Sequence, residues 1–451
     1  MCSELLRIPY EWAGVPIFGF GVLLVVWAIA SAFIVAAMVR QQGWSGETWG
    51  ALPVLLFVGA AIVLLPRVFP DGLPIRGYGV MLLAGISSGV ALAIYRARQV
   101  GLDHELILSL TIWLVIAGVV GARLFYVIEY WQEKFAGKNV VETLLEVINI
   151  PEGGLVVFGG LVGAGVAFIV FTRKYKLPML ALADLVAPSL AIGLALGRIG
   201  CFLNGCCYGG PTDAAWAVSF PKYSTRYEES QPLEARRYSP PYTDQAAHGE
   251  MHGFRWDARE DGTLVVARVD ANSPAAAAGL RQGDAIVAIN GKSVADLQSI
   301  EKAIFELFAS QQDLHLERAL GGPVTIVAVP VPARSRPIHP AQLYSAIDAG
   351  LLCWLVWSFY PFRRRDGQAI ALLLTVHPIT RFLLEIIRTD EPAVFGTGLS
   401  ISQNISVLIF VIALGLWWHT SRQPVGTFKW SAWNPAASPP VAARPKKLRA
   451  T

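Results

Sequence analysis

Three arginines lie where an arginine is costly. Arg123 sits in VVGARLFYV, Arg198 in LALGRIGCF and Arg381 in HPITRFLLEIIR, all within strongly apolar runs. Facing lipid, the three together would cost on the order of 8–10 kcal/mol. They must therefore face a polar cavity, pair with acids or bind an anion. Glu385 stands four residues after Arg381, and Arg388 three further on, so the three share one helical face. An Arg381–Glu385 pair accounts for one arginine and leaves Arg123 and Arg198 without an obvious acid. A guanidinium fork matches phosphate geometry, which makes a phospholipid head group drawn between helices a natural ligand. Gly193, Gly197 and Gly200 recur at helix-face spacing around Arg198, and GGLVVFGGLVGAG spans 153–165. Such glycines let a backbone or a ligand approach closely.

Other chemistry is sparse. The five cysteines, Cys2, Cys201, Cys206, Cys207 and Cys353, are too few for a disulfide framework, and no pair has C-x₂-C spacing. No metal and no cofactor is expected. Cys201, Cys206 and Cys207 read as small packing residues, with a disulfide from Cys206 or Cys207 to another chain as the alternative. A zinc protease would need H-E-x-x-H, but His104-Glu105 is followed by no second histidine at that spacing. Gly85-Ile86-Ser87 with His377 could pose as a rhomboid-like serine protease pair, which would leave the arginines unexplained. No inverted repeat of broken helices suggests a transporter. A non-enzymatic membrane scaffold is the remaining alternative.

The elements that must position the arginines are membrane helices. Of 451 residues, 54% are hydrophobic and 16% charged, with mean hydropathy +0.48; soluble domains carry about 25% charged residues. The net charge of +4 points to no nucleic-acid partner. Spans need roughly 20 apolar residues, and nine candidates fit: about 17–39, 51–67, 77–97, 107–130, 154–172, 179–202, 340–361, 367–388 and 400–419. MCSELLRIPYEWAG lacks the basic start and cleavage site of a signal peptide. Basic clusters at YRAR (95–98), RKYK (173–176), FRRR (362–365) and RPKKLR (444–449) fall at ends that alternate to one side. By the positive-inside rule that side is the cytoplasm. The N-terminus and the long insert then face outward, and the C-terminus inward.

Between about 203 and 338 the apolar pattern stops. Residues 222–253 read as an irregular external loop. Residues 254–332 resemble a PDZ domain: the strand TLVVARV, a short helix in SPAAAAGL, the hairpin AIVAINGKSV turning at Asn290-Gly291, an amphipathic helix over Ser299–Leu307, and two closing strands in LHLERALGGPVTIVAVPV. The resemblance implies capture of a peptide as an added strand, with His252-Gly253-Phe254-Arg255 in the place of the carboxylate-binding loop. A spacer without a ligand is the alternative.

The membrane segments resemble the prolipoprotein diacylglyceryl transferase family. The motifs that carry the likeness are IRGYGVML (75–82), GARLFYV (121–127), GGLVVFGGLVG (153–163), GRIGCFLNGCCYGGPTD (197–213), HPAQLY (339–344) and RFLLEIIRTDEP (381–392). The implied fold is an all-α polytopic membrane protein with an inserted small α+β PDZ-like domain. Two extra N-terminal helices (1–69) precede a seven-helix core split into 70–221 and 333–421, and a basic cytoplasmic tail (422–451) follows. The implied location is the bacterial cytoplasmic (inner) membrane, with the insert on the periplasmic side. The implied reaction moves the diacylglyceryl group of phosphatidylglycerol to the lipobox cysteine of a preprolipoprotein. A thioether forms and glycerol phosphate leaves.

By motif, Arg198 and Arg381 would be the essential arginines, with Glu385 orienting Arg381. Tyr78 would sit near the head group, and Asn204 and Gly209 complete the signature loop. His339, Gln342 and Tyr344 would line the outer mouth, and Arg123 and Arg388 would join the substrate-binding set. Three departures stand out. Phe158 replaces a histidine that is a plausible base in many members. Cys201 and Cys206 replace a signature asparagine and an acidic residue. Ser345 replaces a common glutamate. His339 or the substrate's own surroundings would then supply the base. A relative with another acceptor, or an inactive one, is the alternative.

Overall fold

The computed structural model describes residues 3–69, 72–149, 153–224, 237–259, 263–293, 297–388, 393–394 and 396–430. Cys2, most of the basic tail and the 389–392 end of the RFLLEIIRTDEP motif lie outside these. Thirteen α-helices are described: α1 (Val22–Gln42), α2 (Gly46–Val68), α3 (Gly77–Val100), α4 (His104–Glu129), α5 (Val140–Ile148), α6 (Val157–Lys174), α7 (Met179–Asn204), α8 (Pro240–Ala247), α9 (Pro274–Ala277), α10 (Leu297–Ala309), α11 (Ala341–Phe359), α12 (Gln368–Glu385) and α13 (Ile401–Arg422). Eight are long and apolar enough to cross a membrane: α1, α2, α3, α4, α6, α7, α11 and α13. Nine were expected. The segment expected over 367–388 forms α12, which carries His377, Arg381 and Glu385 and is not among the eight. The chain is a mostly helical polytopic membrane protein with several small sheets.

The chain divides into two compact units, residues 82–199 with 341–451, and residues 1–81 with 200–340. In the first unit α4 and α6 meet backbone to backbone. A Cβ on Gly121 would strike the Gly159 carbonyl oxygen, and one on Gly163 the Ala117 carbonyl oxygen. Only glycine permits that approach, as the run over 153–165 led one to expect. The core of this unit includes Leu106, Ile107 and Leu110 of α4, Phe171 of α6, Leu182 and Leu185 of α7, and Leu352 and Val356 of α11.

Asp184 fixes the start of α12. It is fully buried and accepts hydrogen bonds from the backbone N–H of Gly367 (2.8 Å) and Ile370 (2.9 Å), and it pairs with Arg363 at 3.3 Å. A carboxylate on the free amides of a first helical turn is doubly favoured, by the hydrogen bonds and by the helix dipole. Arg363 also stacks on Tyr360, whose other neighbour, Arg96, lies over Trp357. Arginines from two of the basic clusters are thus packed into the fold.

The second unit contains α1, α2 and short N-terminal strands β1 (Glu4–Ile8), β2 (Glu11–Trp12) and β3 (Val15–Pro16). β1 pairs antiparallel with β4 (Leu73–Arg76), and β2 with β3. It also holds a six-stranded sheet built from β5 (Phe254–Ala258), β6 (Leu264–Val269), β7 (Ala285–Ile289), β8 (Lys292–Ser293), β9 (Leu314–Arg318) and β10 (Val324–Ile326). The order is β10-β9-β7-β6-β5, with β8 on β7. Asn290 and Gly291 both have positive φ, 48° and 75°, as the expected tight hairpin requires. Phe254, Trp256, Leu264, Val266, Ile286, Ile304 and Leu314 form the core between sheet and α10. In the other unit, β11 (Ala393–Val394) pairs with β12 (Leu399–Ser400) just before α13.

The outer edge of β5 is already occupied. Phe254 and Trp256 donate their backbone N–H to the carbonyls of Gly249 (3.3 Å) and His248 (3.4 Å), and Trp256 Nε1 donates to the Ala247 carbonyl at 3.1 Å. The exposed side of α10 is covered as well: Tyr238 meets Phe305 edge-on, and Tyr242 packs on Phe308. The segment expected to be an irregular loop therefore forms, over 237–253, an ordered cover whose centre is α8.

His252 sits under this cover, fully buried, with no hydrogen bond to either ring nitrogen among the described residues. Burial pushes it down to about 4, against 6.5 when free. The folded state thus accommodates only the neutral ring, whereas the unfolded chain takes up a proton below about 6.5. Stability should fall as pH drops from 6.5 to 4, by about 3 kcal/mol in all. Hydrogen exchange of the β5 amides in the intact protein, corrected for intrinsic rates, should show this loss. His252→Phe should flatten it; an unchanged pH dependence in that variant would show that His252 is not its source.

Candidate active site

The Arg381 face is assembled as its spacing implies. The Arg381 guanidinium pairs with Glu385 through Nη1 and donates from Nη2 to Ser402 Oγ at 2.9 Å. Arg388 Nη1 reaches the same Glu385 oxygen at 3.2 Å, and Ser400 Oγ donates to the other at 3.3 Å. Glu385 is buried. One carboxylate therefore orients two guanidiniums, and Ser400, which caps α13 together with Gln403, ties the group to the next helix. Arg198 approaches from α7. It is half-buried and, among the described residues, has no hydrogen bond or ion pair. It lies within electrostatic reach of both Arg381 and His377. Among the described residues three guanidiniums gather around one carboxylate, Glu385, and guanidinium forks of this kind suit a phosphate.

His377 is a residue that the sequence reading placed only in a rival mechanism. It stands one helical turn before Arg381, and its Nδ1 is buried with no hydrogen-bond partner among the described residues. The i, i+4 spacing from Arg381 was the signal that could have found it.

Arg123 behaves differently from the other two arginines. All five of its N–H groups go to backbone carbonyls: Nε to Val147 (2.8 Å), Nη1 to Gly153 (2.7 Å) and Gly154 (2.8 Å), and Nη2 to Glu146 (2.5 Å) and Asn149 (3.1 Å). No donor is left for a phosphate. Gly154, at φ +80°, brings its backbone so close to this guanidinium that a Cβ would clash with it. Arg123 therefore clamps the end of α5 and the approach to α6; the expectation that it contacts substrate has no support in this geometry. Lysine cannot reproduce a planar five-donor fork. Arg123→Lys should strand at least two carbonyls and destabilise the protein by about 2–5 kcal/mol. Thermal unfolding in detergent measures this, and an unchanged midpoint would contradict the clamp.

Gln342 is fully buried at the start of α11, and Tyr344, two residues on, is half-buried. Phe158, at the start of α6, offers no proton acceptor.

In the other unit the signature loop is stitched to the segment 337–339 that leads into the HPAQLY motif. The Gly209 N–H donates to the His339 carbonyl at 2.9 Å, and the His339 N–H to the Gly210 carbonyl at 3.0 Å. Thr212 and Val218 extend the pairing to Pro337 and Ile338. Gly209 and His339 are thus neighbours although 130 residues apart in the chain. Asn204 ends α7 and its side chain bonds to Cys206. Tyr78, part-exposed in the first turn of α3, packs against Gly200, where a Cβ would come within 3.2 Å of its ring.

A comparison with known proteins agrees with these motifs. The family model described as prolipoprotein diacylglyceryl transferase matches residues 66–419. A phosphatidylglycerol–prolipoprotein diacylglyceryl transferase of Rhodopirellula baltica is 29% identical over 454 aligned residues, covering 92% of this chain and 88% of that protein. Proteins of the same name from Synechococcus elongatus and Thermosynechococcus vestitus are 37% and 39% identical over 149 and 147 residues. These shorter matches cover 33% of this chain and about half of each relative, 50% and 53%. With the arginine cluster, the stitched signature loop and a family match running from the end of α2 to α13, the chain belongs to the prolipoprotein diacylglyceryl transferase family.

Proposed function

We propose that the protein transfers the diacylglyceryl group of phosphatidylglycerol to the lipobox cysteine of a preprolipoprotein. The observation that carries the reading is Arg198, a half-buried guanidinium with no hydrogen bond or ion pair among the described residues, within electrostatic reach of Arg381 of the Arg381–Glu385–Arg388 group. The donor is a phosphate diester with one negative charge. As the acceptor thiolate attacks the diacylglyceryl carbon, a C–S bond forms, the C–O bond to phosphate breaks, and the phosphate gains a second charge. Guanidiniums fixed around the phosphate stabilise that developing dianion more than the singly charged diester. Arg198 and Arg381 are the residues assigned to the phosphate, and Glu385 holds Arg381 and Arg388 in place. The thiol must lose its proton to react. His377, beside the two arginines, joins His339 as a candidate acceptor for that proton.

Tyr78, Asn204, Gly209, Gln342 and Tyr344 are assigned to substrate binding by motif. The charge bias of the loops supports a cytoplasmic C-terminus and an outward-facing insert in the inner membrane. The order of elements in the insert supports a PDZ-like domain. Its β5 edge and its α10 face are covered by the chain's own 237–253 segment, which favours a self-closed spacer over a peptide receptor.

The test is reconstitution. Purified protein in phosphatidylglycerol vesicles should release glycerol phosphate when a lipobox peptide is added, and not when its cysteine is replaced by serine. Release without a thiol would indicate a lipase, and no release would overturn the reading.

A further inference from the structure

Cys201, Cys206 and Cys207 form a three-thiol cluster that neither the transfer chemistry nor packing alone requires. Their sulfur atoms all lie within 4.8 Å of one another, and the Cys206 thiol donates to the Cys201 carbonyl at 3.7 Å. The backbone builds this arrangement deliberately. Cys201 is in the last turn of α7, and its carbonyl accepts the N–H of both Gly205 (2.9 Å) and Cys206 (3.1 Å). That closing turn folds the two following cysteines back over Cys201. Cys207 completes it with φ at 60°. A residue other than glycine pays about 1–3 kcal/mol for a sparsely populated backbone conformation of this kind. Glycine would make the turn without that penalty, so a mere packing role gives no reason for a cysteine at 207, whereas a required sulfur does.

We propose that these three cysteines bind one soft d¹⁰ metal ion, zinc(II) or copper(I), as a three-thiolate site. Metal–sulfur bonds of about 2.3 Å put the sulfurs of a trigonal or tetrahedral site about 3.8–4.0 Å apart. The cluster is therefore within a small side-chain adjustment of ligating geometry. The group contains no carboxylate or imidazole among the described residues, and an all-thiolate set selects soft ions. Each thiol gives its proton to solvent as its sulfur bonds the ion, so binding releases three protons and strengthens as pH rises. No electron changes hands. Asn204, bonded to Cys206, lies in the same turn, and Gly209 follows Cys207 by two residues. A bound ion would brace the signature loop from beneath.

The test uses the full-length protein in detergent. Zinc(II) and, in a separate arm under reducing conditions, copper(I) are titrated in, and alkylation of each cysteine is followed by mass spectrometry. At one ion per chain, Cys201, Cys206 and Cys207 should become protected together, while Cys2 and Cys353 continue to react. The arm that reaches one equivalent at the lower free-ion concentration identifies the ion. Cys201→Ser, Cys206→Ser and Cys207→Ser should each weaken binding by at least about 100-fold, more than loss of an outer-shell partner, while C2S/C353S should not. Metal protection in wild-type protein needs no variant and stands even if a substitution impairs folding. No protection in either arm, protection of Cys353 to the same degree, or a disulfide among the three cysteines that persists in the purified protein under reductant would overturn the proposal.

Discussion

Arg198→Ala should lower kcat for diacylglyceryl transfer by about 10²–10³-fold, the usual consequence of removing one preorganised donor from a developing oxyanion. Its effect on KM should be smaller. Arg198 has no hydrogen bond or ion pair among the described residues, so removing it strands no acid and folding should survive. Arg198→Lys is informative beside it. Lysine keeps the charge but not the fork, so it should recover part of the lost kcat and little of any head-group selectivity. Steady-state transfer to a lipobox peptide measures both variants. Equal loss of kcat and stability in Arg198→Ala would instead mark Arg198 as a packing residue.

Glu385→Ala should do the reverse and damage the fold as well as the reaction. Glu385 is buried and is shared by Arg381, Arg388 and Ser400. Without it, Arg381 loses its carboxylate and keeps Ser402, and Arg388 loses the hydrogen bond it makes to the same oxygen. Breaking a buried ion pair by removing one partner costs about 3–5 kcal/mol. Thermal unfolding in detergent should show that loss, with transfer abolished at the same time. Adding phosphatidylglycerol should restore part of the stability of Glu385→Ala, because an anion substitutes for the missing charge. Glu385→Gln keeps an acceptor for one arginine and should fall between. A Glu385→Ala protein as stable as the wild type would contradict the buried pairing.

The contrast between these two residues shows where sequence was sufficient. The Arg381, Glu385 and Arg388 spacing follows from helical periodicity alone, because residues three and four apart share a face. The tight approach of α4 and α6 was likewise visible in the glycines of 153–165, since a missing Cβ has a direct geometric consequence. The strand, hairpin and helix pattern of the insert was legible for the same local reasons. What failed to show was long-range. Arg123 looked like its two counterparts in the apolar runs, but its five acceptors are backbone carbonyls of 146–154, and carbonyls leave no mark in side-chain identity. The ordered cover over β5 looked like an irregular loop because its composition is polar. Its order comes from Tyr238 and Tyr242 packing on Phe305 and Phe308 of α10, pairs that no local pattern announces. The three cysteines fit no metal spacing in sequence, since one comes from a helix end and two from the turn that reverses onto it.

Isotope partition from doubly labelled phosphatidylglycerol tests the central claim most directly. One label is carried in the acyl chains and a second in the head-group glycerol, and the lipid is supplied in vesicles with purified protein and a lipobox peptide. The account predicts that the acyl label becomes covalently attached to the peptide through its cysteine, in equal amount to head-group label released as soluble glycerol phosphate. It predicts that both signals fall together in Arg198→Ala. Head-group label on the peptide, or acyl label released as free fatty acid, would contradict it.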